Sequence, residues 1–130
     1  MLDIFTEFKP VDDLCEAGKY LDAQVELEAL WTKIPSPKIE FLNSYLIVSY
    51  GAIIGLKAKD LEKAWEWAQR GLSYSGNINL AGESEFLLAE VAYARADYEV
   101  AKQYFIIVKQ NSGKRLFRGK NPEYLRLIED

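Results

Sequence analysis

Residues 94–101 read Ala94-Arg95-Ala96-Asp97-Tyr98-Glu99-Val100-Ala101, and this stretch recurs twice upstream in altered letters. Gly18-Lys19-Tyr20-Leu21-Asp22-Ala23 and Lys59-Asp60-Leu61-Glu62-Lys63-Ala64 have the same form: a small or polar turn residue, then a bulky apolar one, then an alanine three positions on. The three alanines stand 41 and 37 residues apart. Self-similarity at that period is the signature of stacked supersecondary units, in which each copy buries its apolar face only against its neighbours.

Outward from these turns the pattern is helical. From Tyr20 to Ile34 the apolar residues Leu21, Val25, Leu27, Leu30, Trp31 and Ile34 recur at three- and four-residue steps. Asp60 is a natural N-cap for LEKAWEWAQRGL, with Leu61, Ala64, Trp65, Ala68 and Leu72 on one stripe. Trp67 falls roughly 200° from Trp65 around such a helix, so it either packs on an adjacent unit or lies on the surface. Asp97 caps a helix to about Gln110, which Asn111-Ser112-Gly113 ends. The four prolines sit where helices begin or end: Pro10 before a short helix that Gly18 stops, Pro35 after Ile34, Pro37 at the start of a long third helix reaching about Lys57, and Pro122 near the C-terminus. Apolar residues at 41, 42, 45, 46, 48, 53 and 54 cover most of that third helix, which makes it the central one. Residues 73–79, around Gly76-Asn77, are turn chemistry, and a fifth helix runs from about Leu80 to Arg95. The expected architecture is all-α: one domain over 1–130, three hairpins near 11–35, 37–75 and 79–112 forming a short right-handed solenoid, and a capping helix within 113–130.

Composition narrows the function. The chain has 130 residues, one cysteine (Cys15), no histidine and a net charge of −4. One cysteine cannot pair within the chain, which points to a reducing compartment, and without histidine the commonest zinc sites and the usual general base are missing. The N-terminal MLDIFTEFKP lacks the basic start and apolar run of a secretory signal, and no apolar stretch approaches about 20 residues, so a cytoplasmic protein without a membrane span is expected. Charge is uneven: residues 1–112 carry −6 and residues 113–130 carry +2. An acidic body disfavours nucleic acid and suits a basic partner. Gly51-Ala-Ile-Ile-Gly55 has no phosphate-loop lysine and reads as close helix packing. The carboxylate pairs Asp12/Asp13, Glu26/Glu28 and Glu83/Glu85 read as solvated faces, and Cys15 as a small packed residue. No catalytic residue, metal ligand or cofactor is expected.

The three turns resemble those of the tetratricopeptide repeat, whose alanine lets paired helices approach closely. Leu27 and Leu30 after Ala23, Phe105 and Val108 after Ala101, small Ala52 and Ala89, and Pro35 match its pattern; Gly71 and the spacing beyond about 34 residues depart from it. A narrower similarity covers Trp31 to Leu125. Trp31-x-x-Ile34-Pro35-x-Pro37-Lys38, Gly76-Asn77 and Leu116-Phe117-x-Gly119-x-x-Pro122-x-Tyr124-Leu125 resemble, in order and spacing, small bacterial proteins encoded beside Rhs-type and other polymorphic toxins. After Gly76-Asn77 the chain has INLAGES in place of the aromatic phrase usual in that group.

That resemblance implies an immunity protein, which binds the C-terminal toxin domain made by its own cell and blocks it by occlusion, without turnover. The alternative is a general tetratricopeptide adaptor or chaperone-like module. Either acts through protein contact, with no nucleic-acid or membrane partner and a monomer as the expected state. The repeat's phase places Asp12, Cys15, Glu16, Ser49, Tyr50, Glu83, Phe86, Glu90 and Tyr93 on its concave side, an acidic surface interleaved with aromatics. Phe86 and Tyr93 have a second reading, as residues packed against a neighbouring helix. The basic tail reads as a cap, with Leu116, Phe117, Tyr124, Leu125 and Ile128 laying two short helical turns, broken at Gly119, over the last hairpin.

Overall fold

The computed structural model describes residues 3–41, 43–74 and 82–129. Every regular element among them is helical: α1 (Ile4–Glu7), α2 (Lys9–Glu16), α3 (Tyr20–Lys33), α4 (Ser44–Lys57), α5 (Leu61–Gly71), α6 (Glu83–Ala94), α7 (Tyr98–Ser112) and α8 (Glu123–Ile128), with 3₁₀ turns at Lys38–Glu40, Leu72–Tyr74 and Arg115–Phe117. Helices pack in chain order. α2 lies on α3, α4 on α5 and α6 on α7, while α3 touches α4, α5 touches α6, α4 also reaches α6, and α8 lies on α7. Leu42, Gly76-Asn77 and the Leu80 start of the expected fifth helix lie outside the described residues.

The three turns that share a sequence form share a geometry. Gly18, Lys59 and Ala96 all take positive φ, at 76°, 60° and 62°. Each amide bonds back to the carbonyl three residues earlier: Gly18 to Cys15 at 3.0 Å, Lys59 to Leu56 at 3.2 Å and Ala96 to Tyr93 at 2.9 Å. The next amide reaches back five: Lys19 to Leu14 at 2.8 Å, Asp60 to Gly55 at 2.9 Å and Asp97 to Ala92 at 2.9 Å. This is the paired-bond C-cap that satisfies carbonyls a helix end leaves orphaned. A new helix starts at once. The carbonyls of Lys19, Asp60 and Asp97 accept from the amides of Ala23, Ala64 and Ala101, each at 3.0 Å. The Asp60 and Asp97 carboxylates also accept from Lys63 N at 3.3 Å and Val100 N at 3.5 Å. Ala23, Ala64 and Ala101 are fully buried, so a methyl group is all the space between paired helices admits.

Several sequence expectations are corrected. The third helix does not run from Pro37: a 3₁₀ turn at Lys38–Glu40 is followed by Asn43 in the left-handed region (φ 66°), and α4 starts at Ser44. Asparagine tolerates that conformation better than any other residue with a Cβ, so the chain can turn a corner there without glycine. α1, which had no clear periodic signal, forms because Asp3 accepts from Phe5 N at 3.1 Å as its N-cap and because Ile4 and Phe8 are buried. On α3 the periodic Leu21 and Val25 are 65% and 69% exposed, since only the Ala23, Leu27 and Leu30 side of the helix meets neighbours. On α5, Trp67 is the core residue at 1% exposure and Trp65 is half-buried beneath the Arg95 guanidinium, 4.8 Å from its ring.

The Trp31-to-Lys38 motif is a packing device. Ile34 is buried, Trp31 meets Trp67 edge-on at 5.5 Å, and the Lys38 ammonium donates to the Trp31 and Ile34 carbonyls at 2.9 and 2.6 Å. A cation on the last carbonyls of α3 satisfies orphan acceptors and complements the helix dipole.

The core falls into two clusters that share Trp65 and Tyr104 at their edges. One joins α1 to α6, around Leu27, Ile47, Ile54, Trp67 and Leu88; the other joins α6, α7 and the tail. In the second, Phe105 stacks on Tyr124 at 4.6 Å, and Phe86 meets Phe105 and Phe117 edge-on at 5.4 and 5.2 Å. The tail caps this cluster as two short turns on either side of Gly119. Asn121 Oδ1 accepts from Glu123 N at 3.0 Å to begin α8. Glu129 is held by Lys109 and Lys114 at 2.9 and 3.3 Å, which keeps its carboxyl below the usual range.

Candidate functional site

The expected concave-side residues divide between two clefts, with Tyr93 and Asp12 in neither. Ser49, Glu83, Phe86 and Glu90 meet in one cleft between α4 and α6, completed by Tyr45, Leu87, Leu116 and Lys120, with a volume of about 210 Å³. Cys15, Glu16 and Tyr50 line a second, between α2 and α4, with Tyr20, Ile53, Ile54 and Lys57, of about 350 Å³. Tyr93 stands beside neither; it packs on Tyr98 and Tyr124, each at 5.1 Å, under the cap. Asp12 is exposed and lines neither cleft.

α4 connects the two clefts. Tyr45 and Ser49 lie one turn apart and line the α6 side, while Tyr50, Ile53 and Ile54 line the α2 side, because residues three or four apart share a helix face. Ser49 Oγ donates to the Leu46 carbonyl at 3.1 Å, and the Tyr50 ring rests on Phe8 at 4.8 Å. Phe86 is buried, and its ring forms a wall of the first cleft while belonging to the aromatic cluster behind it.

The charges of the first cleft come from two sources. α6 supplies Glu83 and Glu90; burial pushes both carboxyls up, and neighbouring tail groups pull them back. Arg115 lies 3.7 Å from Glu83, and Lys120 attracts Glu90, whose Oε2 accepts from the Tyr124 hydroxyl at 3.5 Å. Burial and the Glu90 charge push the Tyr124 phenol up to about 12, so it stays a donor at neutral pH. Cys15 is also pushed up, first by burial and then by Asp12, which keeps it a thiol and a poor nucleophile. Among the described residues no group of three or more histidine, cysteine, aspartate or glutamate side chains could hold a metal ion, and no helix is long and apolar enough to cross a membrane.

No protein-family model, curated protein or solved structure matches this chain. The site therefore rests on its own geometry. Sequence reasoning missed Tyr45, Leu87, Leu116 and Lys120. Tyr45 had a local signal, one turn ahead of Ser49 on the same helix; Leu116 was expected in the cap over the last hairpin but not at this cleft, and Lys120 joins it only because the tail folds back onto α6.

Proposed function

We propose that this chain is a tetratricopeptide-like immunity protein that acts in the cytoplasm as a monomer, binding the toxin domain of a polymorphic toxin system and occluding it. Its three hairpins stack as a short right-handed solenoid closed by the C-terminal cap. The observation that carries the reading is the first cleft, where the half-buried carboxylates Glu83 and Glu90 and the Phe86 ring of α6 stand opposite Tyr45 and Ser49 of α4. Supporting it are the three turns of one geometry, each followed by a buried alanine, and the tail, whose family-like Phe117, Tyr124 and Leu125 form the cap. An acidic, ring-lined surface fits the positive face of an enzyme that acts on nucleic acid, speeds association and excludes the substrate.

Co-expression with the toxin-like product of the adjacent gene tests the proposal. The wild-type chain restores growth, and Glu90→Lys weakens the rescue while leaving the circular dichroism spectrum unchanged. Tyr50→Ala asks the same of the second cleft. No rescue by the wild type sinks the immunity reading, and full rescue by both variants moves the interface off this face.

A further inference from the structure

The 210 Å³ cleft lies below the roughly 300–1,000 Å³ typical of small-molecule sites, so it suits one long side chain better than a cofactor. Its α6 wall brings Glu83 and Glu90, and Phe86 presents a ring between them and the tail. Arg115 already pairs with Glu83. Glu90 has a looser counter-charge: Lys120 is exposed, its ammonium 5.9 Å from the Phe86 centroid, and it closes no ion pair with another described residue. A flexible, solvated lysine placed over an aromatic face beside a half-buried carboxylate is easily displaced. The site it covers favours any cation, through the ring quadrupole and through a carboxylate whose field water screens only partly.

We infer that this cleft is the seat for a single arginine or lysine side chain of a basic partner, which takes the place of Lys120 between Phe86 and Glu90. This rests on the immunity reading for the partner's identity and on the cleft alone for its chemistry. Lys120 then acts as a built-in competitor that sets how strongly a cation must bind to enter. Charge complementarity selects the occupant: an acidic side chain would meet Glu83 and Glu90, and an apolar one would leave Glu90 without the counter-charge it displaced.

The test titrates the full chain with an acetylated, amidated pentapeptide of glycine and serine around one central arginine, followed by amide chemical shifts. Saturable shifts at Ser49, Phe86 and Glu90 are expected, with none from the same peptide carrying glutamate. Lys120→Ala tightens binding about threefold to tenfold, whereas Arg118→Ala, an equal charge change on the same exposed tail, leaves it unchanged; Glu90→Gln weakens it at least tenfold. Equal effects of Lys120→Ala and Arg118→Ala, or weaker binding on loss of Lys120, overturn the seat. Peptide binding with this pattern alongside failed growth rescue keeps the seat and removes the immunity reading; rescue with no peptide binding does the reverse.

Discussion

A methyl group built on Gly51 would lie 2.2 Å from the ring of Trp67, so α4 and α5 touch where one helix has no side chain and the other has the largest. One turn later a methyl on Gly55 would lie 2.8 Å from the backbone of Ala64. Gly51→Ala improves local helix propensity by about 1 kcal/mol, but forcing atoms into a packed interface costs about 1–3 kcal/mol, and with the buried ring only 2.2 Å away and unable to retreat the upper end of that range, about 3 kcal/mol, applies. Denaturant titration should show a net loss of about 2 kcal/mol, and an unchanged midpoint would mean that α4 and α5 are further apart.

Lys59 and Ala96 occupy the left-handed position that Gly18 fills in the first turn. A side chain there costs roughly 1 kcal/mol relative to glycine. Lys59→Gly and Ala96→Gly should each raise stability by about 0.5–1 kcal/mol, additively because the turns are separate. Thermal melts of the single and double variants check this.

Lys38 donates to two carbonyls at the end of α3 and stands 5.3 Å from the Trp31 centroid. Lys38→Met keeps the stem and removes the donors. Charge-assisted hydrogen bonds of this kind contribute about 1.5–3 kcal/mol, less where solvent competes, so a loss of about 1–2 kcal/mol is expected in chemical denaturation.

Burial raises the Glu90 carboxyl above its ordinary range, so the folded chain holds that proton more tightly than the unfolded one. Stability attributable to Glu90 is then greatest in acid, falls as pH rises from the ordinary glutamate value through the folded value, and stays level above it. Subtracting the melting profile of Glu90→Gln from that of the wild type should isolate this decline. A difference that rises with pH would show instead that Lys120 and the Tyr124 hydrogen bond outweigh burial.

What the sequence determined by itself lies within a few residues. Helix type follows from apolar spacing, and the turns at Gly18, Lys59 and Ala96 follow from six-residue patterns whose bonds all close locally. The cap was legible for the same reason, since Gly119, Asn121 and Pro122 specify a break and a restart. Spacing alone was silent on which apolar residues would be buried: Leu21 and Val25 had the period of a core stripe and face solvent, while Trp67 left the stripe and entered the core. For Trp67 the choice depended on where α4 places Gly51, and that is a property of two helices together. The cleft was decided the same way. Glu83 and Glu90 were readable as neighbours on α6, but Arg115, Leu116 and Lys120 join them only through the tail's return, because burying Phe117 and Tyr124 against Phe86 and Phe105 pulls the basic segment across an acidic face.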